Sequence, residues 1–215
     1  MKLGNVMIFG DSYSTFTGAV PEGFRVYYTG NRETPPDISS AEELWWSRLL
    51  RETESALVQN NSYSGSTVCN TGYKGDCSET TSFIARINKL STAGFFKENS
   101  VDTVLVLGGT NDSWANAPIG ELQLENFEKQ DLFSVLPGIC YFLKRVKEEM
   151  PAARVVVIIN TRLKSEIAEG MKQAAEHYGA ICIELEEIDK VSGHPTALGM
   201  AQIKEQVKAA LEREL

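Results

Sequence analysis

Five apolar runs rich in β-branched residues punctuate the chain, at Val6 to Phe9, Ala56 to Val58, Val101 to Leu107, Val155 to Ile159 and Ala180 to Ile183. Most lack the apolar–polar alternation of a half-exposed strand, which predicts strands covered on both faces, as in a parallel sheet between layers of helices. Between the runs the spacing changes to that of helices. Ser40-Ala41-Glu42-Glu43 has the form of a capping box ahead of Leu44, Trp45 and Leu49. Leu132, Leu136, Ile139, Leu143 and Val146 mark a second helix. Ser134 is its expected cap, and Pro137 falls in its first turn, where a missing N–H costs little. Ile167, Met171, Ala174 and Ala175 mark a third helix, stopped by Gly179, and Leu198, Ile203, Val207 and Leu211 a C-terminal one. Strands alternating with helices predict an α/β fold: a three-layer α/β/α sandwich around a five-stranded, mainly parallel, flavodoxin-like sheet. With no linker, repeat or low-complexity tract, residues 1–215 are expected to form one domain.

One stretch breaks this rhythm. From Tyr13 to Ser39 no helix is predicted, but the segment holds Phe16, Phe24, Tyr27, Tyr28, several glycines and the pair Pro35-Pro36. A loop of this length in a compact domain is usually functional or disordered. Its aromatic content favours an ordered cover, with plain surface packing as the alternative.

Charge narrows the partner. A net charge of -8 disfavours unspecific attraction to nucleic acid or anionic lipid, leaving a small molecule as the expected ligand. No run approaches the roughly 18 apolar residues of a membrane span. The N-terminus, MKLGNVMIFG, lacks a following signal-peptide cleavage site and reads as the first strand. A cytoplasmic location is the expectation, with secretion the alternative if a leader has been removed. Cys69, Cys77, Cys140 and Cys182 show no CxxC spacing, so no zinc site is expected. Cys69 and Cys77 bracket a polar loop and read as reduced thiols, a disulfide being the alternative in an oxidising compartment.

In a parallel sheet, ligands collect beyond the carboxyl ends of the strands. The first strand there meets Gly10-Asp11-Ser12, the second Asn60-Asn61-Ser62-Tyr63-Ser64-Gly65-Ser66, and the third Gly108-Gly109-Thr110-Asn111-Asp112. Ser12 is a nucleophile only if a base takes its proton. Gly65 can present its N–H unobstructed, and the Asn111 carboxamide can donate two hydrogen bonds without bringing charge. Each feature alone is equally explained by turn or capping chemistry. No Lys follows Gly108-Gly109 in the manner of a P-loop. Of the two histidines, His177 lies near the end of an amphipathic helix and reads as structural. His194, in Ser192-Gly193-His194-Pro195, sits in a turn before the last helix and is the one credible base.

Taken together and in this order, Gly10-Asp11-Ser12, Gly65, Gly109-Thr110-Asn111-Asp112 and His194 resemble the blocks of the SGNH hydrolases, the GDSL esterase and lipase family, over Gly10 to Gly199. The resemblance implies Ser12 as nucleophile, His194 as its base, and an oxyanion hole made by the Ser12 N–H, the Gly65 N–H and the Asn111 side chain. It implies hydrolysis of an ester with no metal or organic cofactor. Carbohydrate acetates are the first expectation for substrate, with Trp114, Tyr27 and Tyr28 as possible stacking surfaces for sugar rings. A non-catalytic flavodoxin-like module binding a nucleotide or sugar is the rival reading. One departure stands out, because the family's acid three residues before the histidine is replaced here by Val191. Asp189 is the nearest acid, and a main-chain carbonyl near Val191 or Ser192 is the alternative group to orient the ring.

Overall fold

In the computed structural model, which describes residues 1–31 and 37–214, the apolar runs form one sheet. Its strands are β1 (Asn5–Gly10), β2 (Ala56–Ser62), β3 (Thr103–Gly108), β4 (Arg154–Ile159) and β5 (Ile181–Glu184). They lie in the order β2-β1-β3-β4-β5, and all four pairings are parallel. The chain leaves β1 in one direction to β2 and returns on its other side as β3. That reversal opens a crevice at the carboxyl ends of β1 and β3.

Burial explains why the strands do not alternate. Met7, Phe9, Val104, Val106, Val155 and Val157 enter one apolar layer, and Val6, Ile8, Leu105, Leu107, Val156 and Ile158 the other. Helices α1 (Trp45–Glu52) and α5 (Ala197–Glu214) cover the second layer. Helices α2 (Phe83–Thr92), α3 (Val135–Glu149) and α4 (Ser165–His177) cover the first. The expected three-layer sandwich is therefore present.

Several elements differ locally from the pattern. Strand β2 runs on through Gln59-Asn60-Asn61-Ser62, because partners hold its polar end: Asn60 Nδ2 donates to the Ser14 carbonyl at 2.8 Å and Ser62 Oγ to Asn60 Oδ1 at 2.6 Å. The Ser40 to Glu43 box opens a 3₁₀ turn, Ala41–Glu43, and α1 starts after it at Trp45. Leu132 lies in a separate 3₁₀ turn, and Ser134 occupies the cap position of α3 without a side-chain capping bond. Leu198 is not part of the buried stripe of α5. It is 60% exposed, and the stripe is Met200, Ile203, Val207 and Leu211. Residues two apart on a helix do not share a face, so Met200 inward sends Leu198 outward.

The aromatic loop after β1 is packed where it is described. Phe16 and Tyr28 are buried in the second layer and linked by a single β-bridge; Pro35 and Pro36 lie outside the described residues. His177 closes α4, edge-on to Tyr178. Cys69, Cys77 and Cys140 are buried and free, and Cys182 is free and exposed.

Candidate active site

The first strand ends in glycine because nothing larger fits. A Cβ on Gly10 would lie 2.6 Å from Ser62 Oγ and 2.7 Å from Ser14 Oγ. Asp11 then caps the 3₁₀ turn Ser12–Ser14, its Oδ1 accepting the Tyr13 N–H at 3.0 Å. Ser12 heads this turn, so its own N–H has no acceptor within it. Asp11 is wholly buried and its Oδ2 has no hydrogen-bond partner among the described residues. Burial pushes its carboxyl up to about 7.

His194 arrives on a two-stranded ribbon in which Val191 pairs with His194 and Lys190 with Pro195. The connecting residues have φ of +51° at Ser192 and +80° at Gly193, the pattern of a type I′ turn. Tyrosines hold the backbone on both sides of the histidine: the Tyr13 hydroxyl donates to the Gly193 carbonyl, and that of Tyr28 to the Pro195 carbonyl at 2.8 Å. The ring places Nε2 3.0 Å from Ser12 Oγ and Nδ1 3.2 Å from the Ser192 carbonyl. An Nδ1–H donating to that carbonyl leaves Nε2 free to accept the serine proton. Tyr27 stacks on the imidazole with centroids 3.5 Å apart and planes within 7°, and Trp114 meets it edge-on at 5.9 Å.

Asp189 takes another partner. Its carboxylate accepts the Thr196 hydroxyl, and its N–H donates to Gln202 Oε1 at 2.7 Å. Val191 stands across the ribbon from His194. Lys190, next along the chain, donates from Nζ to Asn160 Oδ1 at 2.9 Å and Thr161 Oγ1 at 2.6 Å. Burial lowers Lys190 to about 8. His194 is also held below its ordinary value, first by burial and then by the Lys190 charge, with the Ser192 carbonyl acting in the opposite sense.

The third and fourth candidates lie against the same strand end. Gly65 has φ of +84°, a conformation that L side chains rarely adopt, and its N–H has no acceptor among the described residues. Asn111, in the short helix Thr110–Trp114 that follows β3, donates from Nδ2 to the Ser66 carbonyl at 3.0 Å, leaving its second N–H. The Tyr73 hydroxyl donates to Asn111 Oδ1 at 3.0 Å and so fixes which way the amide faces.

Supporting groups surround the site: the sequence reading takes Asp112 only as part of the third block and gives Arg86 no role. Asp112 accepts the Val68 and Cys69 N–H groups at 2.9–3.1 Å, pinning the segment after Gly65. Arg86 is 2% exposed and donates to Asn61, to the Gly10 carbonyl at 3.2 Å and to Ser66 Oγ at 3.1 Å, tying β1, β2 and the glycine turn together. A lone arginine inside Phe83-Ile84-Ala85-Arg86-Ile87 was the available signal, since a buried cation must be partnered. Tyr28, expected as a stacking surface, is buried and turned to Pro195; Trp114 is half-exposed. Among the described residues no three His, Cys, Asp or Glu side chains cluster to hold a metal, and no helix is long and apolar enough to cross a membrane.

The family model described as GDSL-like lipase/acylhydrolase matches residues 4–211. A protein assigned as a GDSL-like lipase from Bacteroides uniformis is 44% identical, with 98% of this chain and 96% of that one covered and a TM-score of 0.89. Another so assigned, from Bacteroides ovatus, is 37% identical over 99% of this chain and 100% of that one, with a TM-score of 0.90. An acetyl xylan esterase from Butyrivibrio proteoclasticus shares the fold at 16% identity and a TM-score of 0.64, covering 100% of this chain and 64% of its own. No curated protein sequence matches significantly.

Proposed function

The chain belongs to the GDSL-like lipase/acylhydrolase family and is an ester hydrolase, and from that premise we propose that it removes short acyl groups, acetyl foremost, from carbohydrates by a Ser12–His194 dyad. The observation that carries the mechanism is the 3.0 Å approach of Ser12 Oγ to His194 Nε2 by residues 182 apart in sequence.

Ser12 Oγ attacks the ester carbonyl as His194 Nε2 takes its proton. The carbonyl oxygen becomes negative and is met by the Ser12 N–H, the Gly65 N–H and the free N–H of Asn111. Collapse of the tetrahedral intermediate breaks the bond to the alcohol oxygen, which leaves with the proton from His194. Water, giving a proton to His194, then attacks the acyl-Ser12 carbonyl; collapse frees the acid and returns the proton to Ser12 Oγ. The Ser192 carbonyl does part of an acid's work: it holds the tautomer and offers a partial negative charge to the imidazolium.

Support for the carbohydrate comes from the fold shared with the acetyl xylan esterase and from Trp114, whose exposed indole borders His194 as a face for a sugar ring. A serine-directed phosphonate tests the chemistry. It is expected to form an adduct on Ser12 that disappears in His194→Ala, with 4-nitrophenyl acetate hydrolysis falling by about 10³-fold or more. Asp189→Asn is expected to keep most activity. An unreactive Ser12 in the wild type would overturn the proposal in favour of a binding module.

A further inference from the structure

A cleft of about 270 Å³ adjoins the glycine turn, lined in part by Arg25, Tyr63, Gly65, Tyr73, Lys74 and Asp76. It borders two of the proposed oxyanion donors: Gly65 lines it directly, and Tyr73 on its wall donates to Asn111. Arg25 stands over the glycine. A Cβ built on Gly65 would meet one group within 4 Å, the Arg25 Nη1 at 3.8 Å. The Arg25 backbone is fixed there, because its carbonyl accepts the Ser64 N–H at 2.9 Å. Lys74 reaches the same cleft from the tip of the ribbon formed by Thr71–Gly72 and Gly75–Asp76.

Charge makes this placement informative. The chain has 29 acidic and 21 basic side chains. Among the described residues neither Arg25 nor Lys74 has an ion-pair partner within 4 Å, so both charges are available to a ligand. Asp76, the one acid lining the cleft, is exposed and already accepts the Ser78 N–H at 2.8 Å. Two cations against the single Asp76 carboxylate leave this small cleft of an acidic protein net positive. A guanidinium fork matches the two oxygens of a planar oxyanion, and a lysine adds a point charge. The volume lies below the roughly 300–1,000 Å³ of pockets that take whole ligands. It fits a substituent of the substrate, and its cationic rim does not suit a long acyl chain.

We propose that the acylated sugar carries an anionic group, a carboxylate or a sulfate, which Arg25 and Lys74 hold beside the oxyanion site. This deepens the esterase reading and rests on it. The test compares kcat/KM at low ionic strength for O-acetyl derivatives of a neutral hexoside, the matching hexuronate and a sulfated hexoside. At least one anionic ester is expected to exceed the neutral one by about tenfold. Arg25→Gln and Lys74→Gln should each reduce that ratio, Arg25→Lys should retain part of it, and high salt should erode it. A wild type that turns over the neutral ester as well as both anionic ones overturns this assignment alone. So does an Arg25→Gln variant that loses activity equally on all three, since the guanidinium would then act on the reaction and not on the substituent. If no ester is turned over and the phosphonate leaves Ser12 unlabelled, the esterase reading itself falls.

Discussion

Lys190 lies one position before Val191, where the family's acid would be sought, and its charge acts on His194, the proposed base. Its ammonium disfavours the protonated imidazole, adding to the effect of burial. A lowered His194 pKa keeps the ring neutral further into acid, so the acidic limb of the kcat/KM profile should lie below the ordinary histidine value of about 6.5. Lys190→Gln removes the cation and should move that limb to higher pH, while Lys190→Arg should leave it in place. The wild-type and Lys190→Gln profiles should merge above the limb, where the imidazole is neutral in both. A pH series on each variant decides this, and an unmoved limb would show the lysine to be structural only. Ser12, Gly65, Asn111 and His194 were picked out in the sequence by their order along the chain, which resembles the family's blocks, since each alone reads as a turn or cap. Tyr27, expected as a face for a sugar ring, lies on His194 instead, and Tyr73 and Lys190 went unread, since a tyrosine or lysine acquires a role here only through which ring or amide it meets in space.

At the level of elements, the glycine turn is held by groups from elsewhere. Arg86 on α2 reaches back to the ends of β1 and β2, while Phe83 one turn earlier offers its ring 4.4 Å from the guanidinium. Burial lowers the Arg86 pKa to about 9, with the Asp11 carboxylate opposing that shift. Replacing Arg86 by Met keeps much of the stem but removes a buried donor from the Asn61 and Gly10 carbonyls and from Ser66 Oγ, the Gly10 carbonyl keeping the Tyr63 N–H at 3.1 Å. Arg86→Met should cost about 3 kcal/mol in urea unfolding and lower activity as well. A variant with wild-type stability would mean that those acceptors find other donors. Because apolar spacing reports burial, periodicity revealed the five strands of the sheet and four of the five main helices, leaving α2 (Phe83–Thr92) unread. It missed the polar end of β2, where hydrogen bonds in place of apolar contact keep the strand inside, and it misjudged Leu198, whose apolarity alone placed it on the wrong face.

Across the whole molecule the two apolar layers are not independent, because successive residues of the same strands supply both. Phe142 on α3 lies in one layer, edge-on to Phe9 at 5.2 Å and to Phe83 at 5.5 Å. Trp45 and Trp46 lie in the other. Phe142→Ala should cost about 3–5 kcal/mol, and tryptophan fluorescence from the opposite side of the sheet should report the same lowered midpoint as circular dichroism. Separate midpoints would show the layers to unfold apart. The face-to-face seat of Tyr27 on His194 has a consequence for how the molecule can be watched. A proton held over an aromatic face is magnetically shielded, and the chain has only two histidines. The carbon-bound protons of the imidazole beneath Tyr27 should therefore resonate upfield of those of His177, giving His194 a nuclear magnetic resonance signature of its own in the unlabelled wild-type protein.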